Sequence, residues 1–211
     1  MKFSPSKESI LKKIRKALSQ STPLPFPKSE GNQTFFHVPR EEPEVVFAEQ
    51  FNALGGRFIF CVNRQELAFQ FNSLIKKSDW QKVYCIDKKI KELVGSSAEE
   101  RFTDKDLAGC DAGVTGCEYL VARTGSIVMS AAQSSGRTTS VYAPVHICIA
   151  FTSQLVNDVK DALVLIREKY DDKLPSLITF ATGPSRTADI EKTLVVGVHG
   201  PKEVYCFLVD A

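Results

Sequence analysis

The sequence predicts an α/β protein with three layers, helix–sheet–helix, built around a mostly parallel sheet. From about residue 41 onward, short apolar segments alternate with amphipathic segments of helical periodicity. Most of the apolar segments have no polar face, which is typical of strands that helices cover on both sides. A chain of 211 residues is long enough to form one such domain with a core of its own.

The segments follow one another in a regular order. The first part of the domain predicts a helix ending at Gly55-Gly56, a strand at 57–62, a helix at 64–77, a strand at 82–86 and a short helix near 88–94. The second part predicts strands at 118–122, 126–130, 146–151, 177–182 and 204–209, with helices at 153–170 and about 187–195. Because three residues join 118–122 to 126–130, this pair is expected to be antiparallel. The segment 96–108 is polar, and its structure stays open.

The amino end predicts a separate segment, residues 1–30, ahead of an α/β domain at 31–211. A helix over 7–19 would place Ile10 and Ile14 on an apolar face and lysines and arginines on the opposite face. A proline-rich stretch follows and ends the helix. The apolar face must be buried, either on its own domain or against a partner subunit, and both alternatives remain open.

Composition excludes several classes of protein. The formal net charge of +2, without a long basic stripe, argues against nucleic-acid binding. No apolar segment approaches the roughly 20 residues that span a bilayer, and the amino end lacks the apolar core of a signal peptide. We therefore expect a cytoplasmic protein with no membrane span.

The six cysteines do not predict a metal centre. No C-x-x-C occurs, and Cys61, Cys85, Cys148 and Cys206 lie in apolar strand-like segments, where a thiol behaves as a small buried apolar group. A dinucleotide-binding fingerprint is also missing. We expect no metal and no redox cofactor in this chain.

A glycine turn in the last third predicts a site for an anion. The strand at 177–182 runs into Gly183-Pro184-Ser185, and a helix is predicted within a few residues. Ser185, Thr187 and Asp189 could cap that helix. A strand, a glycine turn and a helix start at the carboxyl edge of a parallel sheet favour anion binding, because free N–H groups and the helix dipole point outward. The alternative is an ordinary turn with an ordinary cap.

Two histidines and one arginine strengthen that interpretation. His199 lies in a glycine-containing loop next to Gly200, and His146 lies at the start of a strand, so each could transfer a proton near neutral pH. Arg137 ends a flexible loop and has a planar guanidinium that suits a carboxylate. A structural His146 and a solvated Arg137 are the alternatives.

A polar turn, Thr124-Gly125-Ser126, completes the candidate set. Three catalytic signatures are missing, namely the G-x-S-x-G elbow, the phosphate-binding P-loop and the zinc-binding H-E-x-x-H.

Several of these segments resemble a known family. GVTGCEYLVARTGSIVMS, SGRTTSVYAPVHICIAF, TGPSRTADIE and GVHGPKEVYCFLV are similar, in that order, to the signature blocks of the LUD domain in the lactate-utilization protein C family. The amino-terminal ILKKIRKAL followed by prolines is similar to that family's amino end. The resemblance is strong over about 110–211 and weak between the amino end and residue 110.

The resemblance implies a fold like that of the ribose-phosphate isomerase and CoA-transferase group (NagB/RpiA-like). It also implies a subunit that acts with two iron–sulfur partner proteins to oxidise L-lactate to pyruvate. The chain departs from the family pattern at Arg123, where a glutamate is common, and at Glu118, where an aspartate is usual. If the missing glutamate is a general base in relatives, Arg123 removes that role and favours an anion instead.

The first functional hypothesis is therefore a subunit that binds lactate or another small carboxylate. His199, His146 and Asp189 would be its catalytic residues. The substrate-binding residues would be Thr124, Gly125, Ser126, Arg137, Gly183, Pro184, Ser185, Thr187 and Gly200, and the iron–sulfur clusters would lie on partner proteins. The alternatives are a non-catalytic organising or regulatory subunit, and an independent hydrolase or isomerase acting on a phosphate or CoA ester. The oligomeric state, including a homo-oligomer, stays open.

Overall fold

The computed structural model describes residues 5–19, 41–171, 173–187 and 195–210. The chain divides into two compact units, Met1–Val38 and Pro39–Ala211. The predicted boundary at residue 30 lies outside the described residues and stays a prediction. In the first unit, helix α1 spans Pro5–Leu18 and confirms the predicted amphipathic helix.

The described helices and strands of the second unit follow the chain closely. The helices are α2 (Pro43–Ala53), α3 (Arg64–Lys77), α4 (Lys88–Val94), α5 (Thr139–Tyr142) and α6 (Val159–Tyr170). The strands are β1 (Arg57–Cys61), β2 (Val83–Tyr84), β3 (Phe102–Thr103), β4 (Ala112–Thr115), β5 (Tyr119–Val121), β6 (Ser126–Ser130), β7 (Val145–Phe151), β8 (Leu155–Val156), β9 (Ile178–Ala181), β10 (Arg186–Thr187), β11 (Val195–Val196) and β12 (Glu203–Val209).

A parallel sheet forms the centre of this unit. Its described strands lie in the order β1-β12-β7-β4-β2-β3, and every neighbouring pair is parallel. The central strands β7 and β12 are buried along almost their whole length, which explains why their sequences show no alternation of polar and apolar residues. The mostly parallel sheet that the sequence predicts is therefore confirmed.

Each face of the parallel sheet has its own core. On one face, Ile147 and Phe207 pack with Leu67 and Phe71 of α3. On the other face, Cys148 and Cys206 pack with α2 and with a second sheet. Helices therefore cover both sides of the central sheet, as the sequence predicts for a three-layer fold, and α6 lies on the outer side of the second sheet.

The second sheet has the order β8-β5-β6-β9. Strands β5 and β6 are antiparallel, which confirms the predicted hairpin. The predicted strand at 177–182 is β9, and it pairs antiparallel with β6 instead of joining the parallel sheet. Periodicity could not reveal this, because an apolar run is compatible with either sheet. The edge position leaves Phe180 36% exposed.

One other expectation was wrong in detail, and two further segments contain elements for which the sequence made no prediction. The helix expected from residue 153 starts at Val159, after the strand β8 and the cap Asp158, whose carboxylate accepts a hydrogen bond from the amide of Lys160. The segment at 96–108 contains a short 3₁₀ helix (Ser96–Arg101) and β3. Strand β4 was missed, because four residues that include a glycine carry little strand signal.

The helix expected at about 187–195 is contradicted at both ends. Strand β10 pairs antiparallel with β11, so Thr187 faces Val195 in a ladder. Residues 188–194 lie outside the described residues. Because the backbone at 186–187 pairs in a strand, the helix does not begin at residue 187 as expected.

Candidate functional site

A cavity of about 330 Å³ lies between the two sheets. Its lining comes from residues 179–185 and 199–201 together with Met129, Ser140, Val141, His146 and Val204. It brings together six of the residues expected from the sequence, namely His146, Gly183, Pro184, Ser185, His199 and Gly200. Their ligand-binding role stays a prediction.

Backbone hydrogen bonds hold the lining segments in place. The amide of Ser185 donates to the carbonyl of Pro201 at 2.9 Å, and the amide of Gly197 donates to the carbonyl of Ser185 at 2.9 Å. The amide of Lys202 donates to the carbonyl of Pro144 at 2.8 Å. These bonds connect three segments into one framework: the turn after β9 (183–185), the loop that carries His199 (197–202) and the residue before β7 (Pro144). Since the Ser185 amide already has an acceptor, it is not the free anion donor that the sequence suggested.

The cavity lies at the amino edge of the parallel sheet, contrary to the expected carboxyl edge. His146 is the second residue of β7 and is in register with Val204, the second residue of β12, and with Gly113 of β4. The expectation was wrong because the glycine turn follows β9, which belongs to the second sheet and not to the parallel one. Only the packing of the two sheets decides that the end of β9 lies next to the first residues of β7 and β12.

His146 is the most unusual polar residue of the cavity. Its side chain is fully buried, and its Nε2 lies 2.8 Å from Thr115 Oγ1. Its Nδ1 has no hydrogen-bond partner in the structure. Burial lowers the pKa of His146 to about 4, because the apolar surroundings disfavour the imidazolium. The ring is therefore neutral near pH 7, and one of its two nitrogens has no hydrogen-bond partner.

Two loops contribute His199, Gly200, Ser185 and Gly183 to the lining of the cavity. His199 is exposed. A Cβ at Gly200 would lie 2.9 Å from Ser185 Cβ, so glycine lets the two loops approach. Gly183 has φ +77°, and a Cβ there would lie 2.6 Å from the carbonyl oxygen of Leu54. The predicted need for glycine at 183 is confirmed, and its cause includes packing against the end of α2.

Arg137 and Thr187 are not among the residues that line the cavity. Arg137 is exposed, and its guanidinium donates a hydrogen bond to Ser176 Oγ. Thr187 lies in β10, and Asp189 lies outside the described residues. Arg137 therefore does not line the space where a carboxylate would bind, although Ser140 and Val141 of the following helix do.

The turn Thr124-Gly125-Ser126 is connected to the cavity by hydroxyl groups. Ser126 Oγ lies 2.7 Å from Thr124 Oγ1 and 2.8 Å from Thr182 Oγ1, and Thr182 lines the cavity. Gly125 has φ +59°, and a Cβ there would lie 2.6 Å from the backbone nitrogen of Phe51. Gly125 therefore serves the packing of this turn on α2.

Glu118 lies in a buried network of donors. Its carboxylate accepts hydrogen bonds from Ser130 Oγ at 2.5 Å, Lys169 Nζ at 2.7 Å and Tyr170 Oη at 2.7 Å. Burial alone would raise the pKa of Glu118, but the hydrogen bonds from Lys169, Ser130 and Tyr170 outweigh it, so the pKa is lowered. Glu118 is therefore ionised and ties β5 and β6 to α6.

Arg123, at the other departure from the family pattern, forms an ion pair. Its Nε and Nη2 donate to the two carboxylate oxygens of Asp158, at 2.6 and 3.2 Å. The hydrogen bond from Arg123 lowers the pKa of Asp158. This forked contact binds the turn to the cap of α6. The charge of Arg123 is thus directed at a protein carboxylate, contrary to the expectation that it would favour an anionic ligand.

Sequence reasoning missed Thr115 and Met129, which touch His146 or the cavity. Thr115 Oγ1 lies 3.9 Å from Met129 Sδ as well as 2.8 Å from His146 Nε2. Thr115 belongs to β4, the strand that was not predicted. Thr115 is the third residue of the GVTGCEYLVARTGSIVMS block, but this local pattern does not indicate contact with a histidine 31 residues away.

All six cysteines are buried and free. Burial raises the pKa of Cys61 and of Cys85 to about 11, so both are poor nucleophiles. Among the described residues, no three His, Cys, Asp or Glu side chains are grouped so that they could hold a metal ion.

No helix in the described ranges has the length and apolarity needed to cross a bilayer.

Comparison with known proteins identifies related chains. Residues 45–209 match the LUD domain family. Lactate utilization protein C of Bacillus licheniformis is 38% identical over 100 residues, which are 46% of this chain and 42% of that protein. The Bacillus subtilis protein of the same name is 37% identical over 108 residues, 50% of this chain and 45% of its own.

An uncharacterized protein of Neisseria meningitidis is 36% identical over 94 residues, 44% of this chain and 40% of that protein. The matched part therefore spans less than half the length of each of these curated relatives. Among solved structures, a DUF162 family protein from Deinococcus radiodurans superimposes with a TM-score of 0.60 at 20% identity. That match covers 82% of this chain and 99% of the other, and it supports the α/β fold.

Proposed function

The chain belongs to the LUD domain family, and we propose from this premise that it is a subunit of an L-lactate oxidation system that binds a small carboxylate beside His146. The relatives named lactate utilization protein C support the assignment to this metabolism. The family match includes every residue that lines the cavity.

The observation that carries the proposal is the unpaired Nδ1 of His146. A buried nitrogen without a partner costs about 1–3 kcal/mol, and such groups are rare unless a ligand or water completes them. A volume of about 330 Å³ is at the small end of the range for ligand sites and suits a small metabolite. The lining includes the hydroxyl groups of Ser140, Ser185 and Thr182.

The carboxylate of the ligand is best placed near the rim. His146 is neutral near pH 7, because its pKa is about 4, so it supplies no positive charge there. His199 lies at the open side, where its ring can donate to a carboxylate, and Ser185 beside it adds a hydroxyl donor. In this arrangement Arg137 has no contact with the ligand.

Oxidation of lactate to pyruvate breaks the C2–H bond and the hydroxyl O–H bond and releases two electrons and two protons. We propose that the electrons pass to iron–sulfur clusters on partner proteins, as the family resemblance implies. One of the two histidines that line the cavity would receive the hydroxyl proton, and the proton from C2 would pass to water. This chain then supplies the carboxylate site, and its partners supply the redox groups.

Calorimetric titration of the purified chain with L-lactate tests the binding site. We expect measurable binding that weakens at least tenfold, about 1.4 kcal/mol, in His199→Ala. Arg137→Ala is the matched control, because it removes an exposed cation outside the cavity, and its affinity should stay within about twofold of the wild type. Absence of binding at millimolar lactate, or a larger effect of Arg137→Ala than of His199→Ala, would contradict the proposed site.

Helix α1 is the proposed contact with the partners. Its apolar residues Ile10, Leu11 and Ile14 are 57%, 39% and 47% exposed, and basic residues surround them. An amphipathic helix with an exposed apolar face is typical of docking to a protein surface.

Co-purification with the iron–sulfur proteins tests this contact. Deletion of residues 1–20, or Ile10→Ser with Ile14→Ser, should reduce assembly while lactate binding is retained. Phe69→Ser is the control, because Phe69 is 69% exposed elsewhere, on α3. Unchanged assembly of the truncated chain would exclude α1 as the contact.

A further inference from the structure

The environment of His146 assigns the direction of its hydrogen bonds. Two atoms lie near the hydroxyl of Thr115, namely His146 Nε2 at 2.8 Å and Met129 Sδ at 3.9 Å. The hydroxyl has one proton to donate, so it can donate to the nitrogen or to the sulfur but not to both. The two choices differ in whether Nδ1 carries a proton or a free lone pair.

In the first arrangement, Thr115 donates to Nε2. The proton of the neutral ring is then on Nδ1, and a buried N–H donor has no acceptor. In the second arrangement, Nε2–H donates to Thr115 Oγ1, and the hydroxyl donates weakly to the sulfur of Met129. Two hydrogen bonds form in place of one, and the unpaired atom is an acceptor.

The second arrangement has the lower cost. Buried N–H groups without an acceptor are rarer in proteins than acceptors with an unused lone pair, because the unsatisfied donor is the more costly group. The thioether sulfur is a weak acceptor but lies within reach. Nδ1 therefore carries an unused lone pair on a residue that lines the cavity.

From this geometry we infer that His146 is a specificity-determining residue that accepts a hydrogen bond from a hydroxyl of the ligand, so that the cavity selects a 2-hydroxy acid over the corresponding 2-oxo acid. Thr115 is the positioning residue that fixes the tautomer. The inference rests on the proposed function, since it names the ligand group that the carboxylate site recognises. A 2-oxo acid presents only acceptors to Nδ1, and two facing lone pairs repel each other.

Three carboxylates that differ only at C2 test the selectivity. L-lactate has a hydroxyl there, pyruvate has a ketone, and propionate has neither. Calorimetry with the wild-type chain should show lactate binding at least tenfold more tightly than either of the other two, a difference of about 1.4 kcal/mol. In Thr115→Val, which replaces the hydroxyl by a methyl group of similar size, the preference for lactate over propionate should fall to less than about threefold, while propionate affinity is retained.

The tautomer can be measured without any ligand. Nitrogen NMR of the free chain should show a protonated Nε2 and a non-protonated Nδ1 for His146, assigned by the loss of its signals in His146→Gln. Should that variant fail to fold, His146→Phe serves the same assignment. A merely structural Thr115 would leave both the tautomer and the selectivity unchanged when it is replaced.

The outcomes separate this inference from the proposed function. Binding of all three acids with similar affinity, tighter binding of pyruvate, or a protonated Nδ1 would overturn the inference while leaving a carboxylate site in place. Failure of all three acids to bind would overturn the proposed function and this inference with it.

Discussion

The buried His146 predicts a specific loss of stability in mild acid. Its pKa is about 4 in the folded protein and 6.5 in an unfolded chain. Between these values the unfolded chain binds more protons than the folded protein, so the free energy of unfolding decreases as the pH falls through this window. Below about pH 4 both states are protonated, and His146 causes no further loss.

The magnitude follows from the two pKa values. Lowering the pH from about 7 to about 5 should cost about 2 kcal/mol of folding free energy through His146 alone. For a chain of this length the midpoint of thermal unfolding should fall by about 4–8 °C. Carboxylates contribute little over this range, because they begin to protonate only near its lower end.

Urea unfolding at the two pH values provides the assay. For each variant, the free energy of unfolding at about pH 5 is subtracted from its own value at about pH 7, so a change in overall stability caused by the substitution cancels. His146→Gln should lose about 2 kcal/mol less than the wild type. A wild-type loss below about 0.5 kcal/mol, or equal losses in the wild type and His146→Gln, would refute the reasoning.

Two further predictions concern the framework around the cavity. Glu118→Gln should lower the free energy of unfolding by about 2 kcal/mol, because the side chain of Glu118 is fully buried and accepts three hydrogen bonds. A double-mutant cycle with Lys169→Met should show a coupling of about 1–2 kcal/mol, whereas the exposed pair Lys82–Asp106 should show no measurable coupling. Equal coupling in the two pairs would contradict the assigned burial. Gly125→Ala should destabilise by about 2–4 kcal/mol in urea unfolding, because it adds a clash with the backbone of Phe51 to the cost of its positive φ. Gly136→Ala, with φ +63° and no atom within 4 Å, should cost only about 1 kcal/mol, and an equal effect at both positions would show that no clash exists at 125.

The sequence pattern predicted two kinds of element well: strands made almost entirely of apolar residues, and helices whose apolar residues recur with helical periodicity. The apolar segments of β1, β7 and β12 and the periodic helix α3 all appear in the structure close to their predicted bounds. The glycine turns at 125 and 183 have positive φ, as turns of this kind require. Strand β4 was missed because its pairing partners β2 and β7 supply the stabilisation that its own four residues lack.

The candidate site was predictable in its composition but only partly in its arrangement. The loop of His199, the turn at Gly183–Ser185 and the start of β7 at His146 carry recognisable residue patterns, and they do line one cavity. Arg137 carries an equally suggestive pattern, but its guanidinium is directed to Ser176. Sequence cannot separate these cases, because the orientation of a long exposed side chain depends on neighbours that are distant along the chain.

The sequence by itself determined the α/β fold, because periodicity, apolar strands and glycine turns are properties of neighbouring residues, and the similarity of its signature blocks determined the LUD family. Only the tertiary structure decided that β9 lies in a second sheet, that the cavity opens at the amino edge, and that Thr115 faces His146. These features depend on the packing of one sheet against another, which brings together residues from segments that share no local signal. The unpaired nitrogen of His146 arises from that packing.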